Sequence, residues 1–553
     1  MIKLNKPQSI YHPTKETQWT GLNWSKVEKT IDKLQHRITK ATENGEHRKV
    51  RDLQRLLNRS ISARMKAVRI VAQENSGKLT PGIDGEIWTT PNRKHRAALE
   101  LRNRSKTQPL KRIYIPKSDG TKRPLGIPCI LDRARQALWN MSLLPVIEAI
   151  SDPHSYGFRP LRDCWDANAQ IRYILDKQTS PKWILDAIVE KCFDEINHDW
   201  LTENTPMETK VLESWLKAGF VEGSELFPTE KGTPQGGVIS PTLANLTLNG
   251  LENYLKQKFK HGYATLDNGK KIRRSTCINM IRYADDFIVT GRSKRQLERV
   301  KKAINEFLKP RGLKINENKT NIKHITKGFD FLGWNFRRYP AFICTISNKS
   351  ISKHRKEIKY LTKTIHSPLA LIDKINSKVI GWMNYHRCCN RIWKVWSKMN
   401  SYIFGRLMKW GLRRHSNKTK KWVFTRYWKH KKGRWTFTYT SKNVTKDLVH
   451  YNFQQKRTAS RISSYTNIFD LKNRAKIRQV QLAKGTNFPF QKKQVWKKQK
   501  GICPGCKKFL DPKQPDILDL HHVIPRKEGG SDKLTNLKLM HEHCHYESHY
   551  SCS

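Results

Sequence analysis

The chain has 553 residues, which is too many for one hydrophobic core and predicts three or four domains. It carries 107 Lys and Arg against 47 Asp and Glu, a formal charge of +60, so a polyanionic partner is expected. No apolar run approaches the roughly 18 residues of a membrane-spanning helix, and the N-terminus resembles neither a signal nor a transit peptide. These features argue against a membrane protein and favour nucleic acid as the partner.

Two helices, each with an apolar and a basic face, are predicted at the start of the chain. Ser25 and Glu28 have the spacing of a capping box, and the first helix is expected to run through about Thr39 and end before Asn44-Gly45. A longer second helix is predicted from apolar residues at helical spacing: Val50, Leu53, Leu57, Ile61, Met65 and Val68. The basic face is expected to meet phosphate, with a merely solvated face as the alternative.

Next come two alternating strands at 111–117 and 122–128, joined by the turn sequence 118–121. Lys117 and Arg123 place cations at the base of this hairpin. Because cations occur throughout the chain, a hairpin that is merely soluble is the alternative to a binding element.

The sequence Tyr283-Ala284-Asp285-Asp286 lies between two short β-prone runs, 277–282 and 287–291, and predicts a hairpin with two acids at its tip. Adjacent carboxylates repel each other, so divalent metal ions are expected to neutralise them. An ordinary turn containing Asp is the alternative. Upstream, the glycine-rich segment 232–241 lets backbone approach a ligand, with Gln235 as donor and acceptor, and leads into a helix predicted at 242–255.

Together, the glycine-rich segment and the Asp pair resemble the palm of a reverse transcriptase, specifically of the group II intron-encoded reverse transcriptase and maturase family. The resemblance extends over nearly the whole chain. It implies that Asp285 and Asp286 bind catalytic Mg²⁺ or Mn²⁺. It also implies a set of residues around the incoming nucleotide: the steric gate Phe193, the glutamine Gln235, the fingers cations Lys117 and Arg123, and the motif-D lysine Lys319.

One position departs from the family pattern. Anchored on Phe193 and the residues after it, the pattern places a third metal-binding Asp five residues before the Phe, where this chain has Ile188. Two-metal phosphoryl transfer needs carboxylates from both strands, and an aliphatic side chain cannot bind a metal ion. We therefore expect weakened or lost polymerase activity. On a strand, Asp186 and Glu190 would share the face of Ile188, each about 6.6 Å along the chain from it, so rescue by either stays open.

From about residue 349 to 412 the sequence is helical, and tryptophans alternate with Lys and Arg there and beyond. These tryptophans are Trp382, Trp393, Trp396, Trp410, Trp422 and Trp428. We expect them to pack between helices more than to stack on bases, while the basic residues around them favour RNA. The region resembles the family's thumb and maturase domain. The polar, basic stretch 441–495 is interpreted as a DNA-binding linker.

The eleven cysteines fall into two groups. Seven are scattered without ligand spacing, as expected of ordinary core or surface residues in a reducing compartment. The other four lie after residue 500, where Cys503 and Cys506, then His541 and Cys544, form two pairs with the spacing of a tetrahedral Zn²⁺ site. Because this Lys-rich segment is short, metal binding is expected to supply its folding energy.

Near these pairs lie further polar residues and glycines: His521, His522, Gly529, Gly530, Asn536, His545 and His549. The set resembles an HNH endonuclease over 496–549. The resemblance implies that His522 is the general base and that Asn536 orients the loop. It implies that His521 and His545 bind a catalytic divalent ion, with His549 as a third ligand. A zinc knuckle without catalysis is the alternative, but it does not explain the His pair or Asn536.

The implied architecture is an α+β multidomain protein with right-hand fingers and palm, an α-helical thumb and maturase domain, and a ββα-metal HNH module. The predicted domains are a basic helical extension at 1–95, fingers and palm at 96–338, thumb and maturase domain at 339–440, linker at 441–495 and HNH module at 496–553.

This architecture predicts a protein that binds its group II intron RNA to assist splicing and cuts target DNA with its HNH module. The alternatives are a fully active polymerase that uses deoxynucleotides, and a splicing factor with both active sites silent. A homodimer stays open. Abundant Lys and Asn favour an AT-rich genome, so a chloroplast or mitochondrial gene, or a bacterial one with a cytoplasmic product, is expected.

Overall fold

The computed structural model describes residues 17–102, 106–116, 120–260, 262–265, 271–441, 444–452, 462–484, 490–510, 518–525 and 528–550. Lys117 lies outside the described residues, as does the side chain of His549. Within these ranges, every helix is too short or too polar to cross a bilayer.

Five helices open the described chain. They are α1 (Thr17–Thr20), α2 (Trp24–Glu43), α3 (His47–Arg59), α4 (Ile61–Arg69) and α5 (Pro91–Glu100), with a π-helical turn at Ile70–Glu74. The buried residues of α2 and α3 recur at helical spacing, so each has one packed face, as predicted.

Two features of this region differ from the prediction. The first helix begins one residue before Ser25, because the side chain of Asn23 accepts the hydrogen bond of the Lys26 amide at 3.0 Å. Glu28 is buried and pairs with lysines, so it does not close a capping box. The predicted long second helix is two helices, because Ser60 adopts an extended conformation between α3 and α4.

The next elements are a hairpin and two helices: β1 (Leu110–Pro116), β2 (Lys122–Ile127), α6 (Ile130–Ile150) and α7 (Cys164–Leu175). β1 and β2 pair antiparallel, which confirms the predicted hairpin. α6 contacts α2, α3 and α4, and it thereby joins the N-terminal helices to the central sheet region.

The central region consists of the described strands and α-helices from β3 to β13. In order they are β3 (Trp183–Ile188), α8 (Cys192–Glu195), α9 (His198–Asn204), α10 (Thr209–Leu216), β4 (Phe220–Glu222), β5 (Glu225–Phe227), α11 (Ser240–Leu248), α12 (Leu251–Lys258), β6 (Gly262–Thr265), β7 (Lys271–Arg274), β8 (Met280–Tyr283), β9 (Asp286–Gly291), α13 (Lys294–Leu308), β10 (Asn321–His324), β11 (Phe329–Phe331), β12 (Trp334–Arg338) and β13 (Phe342–Ile346).

Four of these strands form an antiparallel sheet in the order β10-β3-β9-β8. Alternate residues of β3 face opposite sides of the sheet. Leu185 and Ala187 belong to the hydrophobic cluster that includes residues of α13. Ile184 belongs to a second cluster, which extends into residues 358–410. Ser293 caps α13 by accepting the Gln296 amide. The sheet therefore has a helix-covered face and a second face on which Asp186 and Ile188 lie.

The helix predicted at 242–255 is instead α11 and α12. Asn249 is extended and Gly250 has φ +85°, a backbone conformation that suits glycine. The side chain of Asn249 accepts the Asp152 amide at 2.7 Å and donates to the Ile150 carbonyl at 2.7 Å. These bonds fix the break to the C-terminal end of α6.

The next region is helical and then β-stranded: α14 (Asn348–Thr364), α15 (Pro368–His386), α16 (Ile392–Arg414), α17 (Lys420–Tyr427), β14 (Trp428–Lys431), β15 (Arg434–Ser441) and β16 (Val444–Asp447). Trp396, Trp410 and Trp428 are buried in its core, which agrees with packing as their role, whereas Trp393 is 59% exposed. An all-helical region was predicted, and the three-stranded sheet β14-β15-β16 shows this to be wrong at its end. Positive φ at Lys432 and Gly433 makes the tight turn of its first hairpin.

The last elements are α18 (Arg474–Lys484), α19 (Phe490–Lys498), β17 (Leu518–His522), β18 (Leu537–His541) and α20 (Glu542–Tyr550). β17 and β18 pair antiparallel, and α20 follows β18 directly, which gives the predicted ββα order. The hydrophobic residues of this segment and those of α2, α3 and α4 belong to one buried cluster.

Candidate functional site

The Asp hairpin consists of β8 and β9 joined by a two-residue turn. Tyr283 pairs with Asp286, and Ala284 in the turn has φ +58°. Arg282 is 1% exposed, and its guanidinium donates to the Asn245 side chain and to the Ala284 carbonyl, each at 3.2 Å. A Cβ at Gly157 would lie 2.2 Å from the Ala284 amide nitrogen. Arg282 and Gly157 thus both contact the turn that carries the two acids.

Ile188 is the direct neighbour of Asp286 across the β3–β9 pair. Because directly paired residues project to the same side of a sheet, the Ile188 side chain faces the space next to the Asp286 carboxylate. The Ile188 carbonyl accepts the Asn316 amide at 2.9 Å, and the Val189 amide donates to the Asp285 carbonyl at 3.1 Å. The backbone around Ile188 is therefore fixed, and its aliphatic side chain occupies a position from which a carboxylate would reach Asp286.

Asp186 lies two residues before Ile188 on the same face. Burial raises the pKa of Asp186 to about 6, and the charge of Asp330 adds to the effect. Burial, followed by repulsion from Asp285 and Asp186, raises the pKa of Asp286 to about 6 as well. Burial also raises the pKa of Asp285. Asp285 and Asp186 thus both disfavour ionisation of Asp286, which is the situation that a bound cation relieves.

Glu190 takes a different direction from Asp186. Its carboxylate pairs with Lys314 at 3.4 Å, and its amide donates to the Lys314 carbonyl at 2.9 Å. Of the two acids that the sequence offers near Ile188, the structure brings Asp186 into electrostatic contact with Asp286 and pairs Glu190 with a lysine.

Two predicted cations face the Asp pair. The charges of Arg123 and Lys319 both lower the pKa of Asp285 against the stronger effect of burial. Lys319 ends a 3₁₀ turn, Glu317–Lys319, capped by the side chain of Asn316. The structure thus brings Arg123 from β2 and Lys319 from beyond α13 towards one carboxylate.

Gln235 and Phe193 lie on the glycine-rich segment and on α8, respectively. Gln235 Nε2 donates to the Asp194 carboxylate at 2.9 Å, and the ring of Phe193 meets the ring of Phe158 edge to face at 6.0 Å. A Cβ at Gly232 would lie 2.6 Å from the Phe193 carbonyl oxygen, so the glycine-rich segment packs directly on α8. Its glycines serve close backbone packing, and the Asp194 partner of Gln235 was not anticipated from sequence.

The predicted zinc ligands come together. The side-chain ligand atoms of Cys503, Cys506, His541 and Cys544 all lie within 4.8 Å of one another. Hydrogen bonds with Cys506 and Cys544 hold the pKa of the Cys503 thiol well below its usual range. Hydrogen bonds with the cysteines outweigh burial and raise the pKa of His541 to about 10. Three sulfurs and one imidazole, with a thiol that ionises readily, fit a tetrahedral Zn²⁺ ion.

The HNH residues lie on β17 and α20. His522 Nε2 lies 2.7 Å from the Asp532 carboxylate, and His545 Nδ1 lies 3.5 Å from that of Asp519. The rings of His521 and His545 are 5.3 Å apart and nearly perpendicular. Within the described ranges, only the zinc set brings three or more ligand atoms within 4.8 Å, so His521 and His545 are neighbours without forming such a group. Asp519 and Asp532 were not predicted: Asp532 lies ten residues after His522, but Asp519 lies far from His545 in the chain.

Asn536 organises the loop between β17 and β18. Its side-chain oxygen accepts the Ile524 amide at 2.8 Å, and its nitrogen donates to the carbonyls of Ile524 at 3.0 Å and Ser531 at 2.9 Å. A Cβ at Gly530 would lie 1.8 Å from the Ile524 carbonyl oxygen. This arrangement is the one expected of a loop-orienting asparagine beside an obligatory glycine.

A hairpin with paired acids on an antiparallel sheet, a zinc-type ββα module and a charge of +60 define a nucleic-acid-processing protein that combines two enzyme folds. Family models match four parts of the chain: the N-terminal domain of reverse transcriptase at 19–101, reverse transcriptase (RNA-dependent DNA polymerase) at 115–336, the group II intron maturase-specific domain at 351–428 and HNH endonuclease at 503–551. The chain belongs to the group II intron-encoded reverse transcriptase and maturase family, with an HNH endonuclease domain.

Named relatives agree with this assignment. The chain is 31% identical to Protein YkfC of Escherichia coli over 48% of its own length and 77% of that protein. It is 28% identical to the group II intron-encoded protein LtrA of Lactococcus lactis over 42% of its length and 47% of LtrA. It is 29% identical to a putative COX1/OXI3 intron 2 protein of Saccharomyces cerevisiae over 52% of its length and 38% of that protein. The chain thus spans less than half the length of the last two.

Proposed function

We propose that this protein binds its group II intron RNA to assist splicing and cleaves target DNA with its HNH module, while its polymerase activity is weakened or lost. The observation that carries the polymerase part is the direct pairing of Ile188 with Asp286. The maturase and HNH family matches support the other two parts. We further propose the domain boundaries given above and a bacterial or organellar setting.

The loss at the polymerase site follows from ligand chemistry. Two divalent ions about 3.5–4 Å apart must be bridged by carboxylates, and those of Asp285 and Asp286 come from one hairpin. The opposite strand offers only an alkyl group at position 188. Mg²⁺ tolerates little error in ligand position, so a ligand set that lacks one bridging group is expected to hold the ions poorly.

An active polymerase is the second candidate, and Asp186 favours it. This acid shares the face of Ile188, and its charge raises the pKa of Asp286. To replace the missing ligand, its carboxylate would have to reach across about 6.6 Å of strand. Glu190, paired with Lys314, supports this candidate less. Loss of primer extension in Asp186→Asn, with extension retained in Glu190→Gln, would favour the second candidate.

For the HNH module we propose a base and an orienting acid. Asp532 accepts a hydrogen bond from His522 Nε2–H in the neutral tautomer, which leaves Nδ1 as the atom that takes a proton from water. The four-ligand site would hold Zn²⁺, which would supply folding energy. His521 and His545 would hold a hard divalent ion, which would supply charge neutralisation at the scissile phosphate. Asn536 keeps the loop that carries Asp532 in place through its bonds to Ile524 and Ser531.

A plasmid-nicking assay with added Mg²⁺ or Mn²⁺ tests the nuclease, and splicing of the cognate intron tests the maturase. We expect His522→Ala to abolish nicking and leave splicing assistance and zinc content unchanged. Nicking at the wild-type rate by this variant would remove His522 from its proposed role. Failure of the protein to accelerate splicing would refute the maturase function without bearing on the nuclease.

A further inference from the structure

The zinc-bearing end of the HNH module packs against the N-terminal helices. One buried hydrophobic cluster contains residues of α2 and α4 together with residues of the module, among them Trp24, Val68, Trp496, Met540 and Cys544. This shared cluster means that the module is not simply tethered to the rest of the chain. It has a packed neighbour, and that neighbour is the domain most distant from it in sequence.

Arg69, the last residue of α4, makes the central contact. It is 1% exposed, and its guanidinium donates to the Cys544 sulfur at 3.0 Å. The same guanidinium lies 4.0 Å above the Trp24 ring and 3.5 Å from the Glu74 carboxylate. A metal-bound thiolate is a stronger acceptor than a neutral thiol, so this hydrogen bond is favoured when Cys544 serves as a zinc ligand.

Ion pairs near this contact join the module to the N-terminal region, and each side contributes both a lysine and an acid. Lys508 of the module lies 3.0 Å from Glu28 and 3.0 Å from Asp32, both on α2. Lys78 of the N-terminal region lies 3.3 Å from Glu542 of the module. The chain has a formal charge of +60, so cations are in excess overall. The acids on α2 therefore form a surface whose charge is complementary to that of the module lysine.

The proposed base His522 lies at the far end of the module's hairpin from this contact. In the β17–β18 pair, His541 lies opposite Leu518 and His522 lies opposite Leu537, so the zinc ligand and the proposed base are at opposite ends of the strands. Four residues of strand separate these ends by about 13 Å. Docking through the zinc end therefore fixes the module without covering His522, as expected of a contact that positions a nuclease.

We propose that the N-terminal helices are the docking surface for the HNH module of the same chain, with Arg69 as a positioning residue that supports the zinc ligand Cys544 from outside the module. The zinc site then has two structural roles: it folds the module, and it supplies the acceptor through which the module is held.

The test uses the full-length, zinc-loaded protein and two readouts, the rate of zinc loss to a chelator and amide hydrogen exchange. The main variant is Arg69→Met, which keeps most of the side-chain volume and removes the donor. The matched control is Arg55→Met, because Arg55 is on the neighbouring helix α3, is exposed and pairs with Asp52 of its own helix at 3.3 Å. We expect Arg69→Met to lose zinc at least tenfold faster than Arg55→Met, with faster exchange in both α2 and 503–509.

A second variant tests the proposal without changing a buried side chain. Lys508→Met changes a side chain that is 40% exposed, so the module should still fold, and we expect faster exchange in α2 and 503–509. Wild-type zinc loss in Arg69→Met, with altered exchange only around α4, would show that Arg69 is a core residue of the N-terminal domain and would overturn the proposal. Unchanged exchange in α2 for Lys508→Met would overturn it independently of how Arg69→Met folds.

Discussion

Replacing Ile188 with Asp tests the proposed defect of the polymerase site directly. Ile188 is paired with Asp286, and directly opposite residues in antiparallel strands have Cα atoms about 4.5–5.5 Å apart. A carboxylate at 188 would therefore lie on the same face as that of Asp286 and within reach of a shared divalent ion. The backbone bonds from Asn316 and Val189 that fix this position do not involve the side chain, so the substitution should leave the strand in place.

We expect Ile188→Asp to extend a primer on an RNA template at least 100-fold faster than the unmodified protein, equivalent to about 2.7 kcal/mol of transition-state stabilisation. The gain arises because a metal-bridging carboxylate stabilises charge on the transferred phosphoryl group. Primer extension should be measured with matched protein and Mg²⁺ concentrations. Ile188→Asn is the control, since it adds polarity at the same position without a charge.

Three results would contradict this reasoning in different ways. Efficient extension by the unmodified protein, silenced by Asp186→Asn, would show that Asp186 already replaces the missing ligand. Equal gains in Ile188→Asp and Ile188→Asn would attribute the effect to polarity. No extension by any variant would show that Ile188 is not the sole defect of the site.

The remaining predictions concern stability, the nuclease and RNA. Burial and neighbouring acids raise the pKa of Asp286 from 3.8 to about 6, so the metal-free protein should lose stability as pH rises from about 4 to about 6. At pH 7.5 without metal, Asp286→Asn should therefore raise Tm by a few degrees, and an unchanged Tm would contradict this. Asp532→Asn should slow nicking while zinc content stays constant, and wild-type nicking would dissociate Asp532 from His522. Affinity for intron RNA should fall steeply between 50 and 200 mM salt, and salt-independent binding would refute phosphate contact.

The sequence predicted those features that depend on residues close together in the chain. The two ligand pairs of the zinc-type site and the hairpin at Asp286 are each determined by a few neighbours in the chain, and the structure has both. The sequence also placed Ile188 on a strand, and the structure pairs that strand with β9.

Features that depend on tertiary partners could not be predicted in the same way. Gly250 breaks a helix because the Asn249 side chain binds the end of α6, almost one hundred residues away. Glu28 has the spacing of a capping residue, but its burial beside Lys66 and Lys508 decides its role. Glu190 was expected to continue the strand of Ile188, but β3 ends at Ile188 and the Glu190 carboxylate pairs with Lys314.

The bond between Arg69 and Cys544 joins residues that are 475 positions apart in the chain. At translation rates of about 5–20 residues per second, Cys544 is made roughly 25 to 95 seconds after Arg69. α6 is available to cover the N-terminal helices early, but the surface of α2 and α4 that receives the module stays open to solvent for the rest of synthesis. Closure of that surface therefore comes late in folding: it requires synthesis as far as Cys544 and, on the proposal above, bound Zn²⁺.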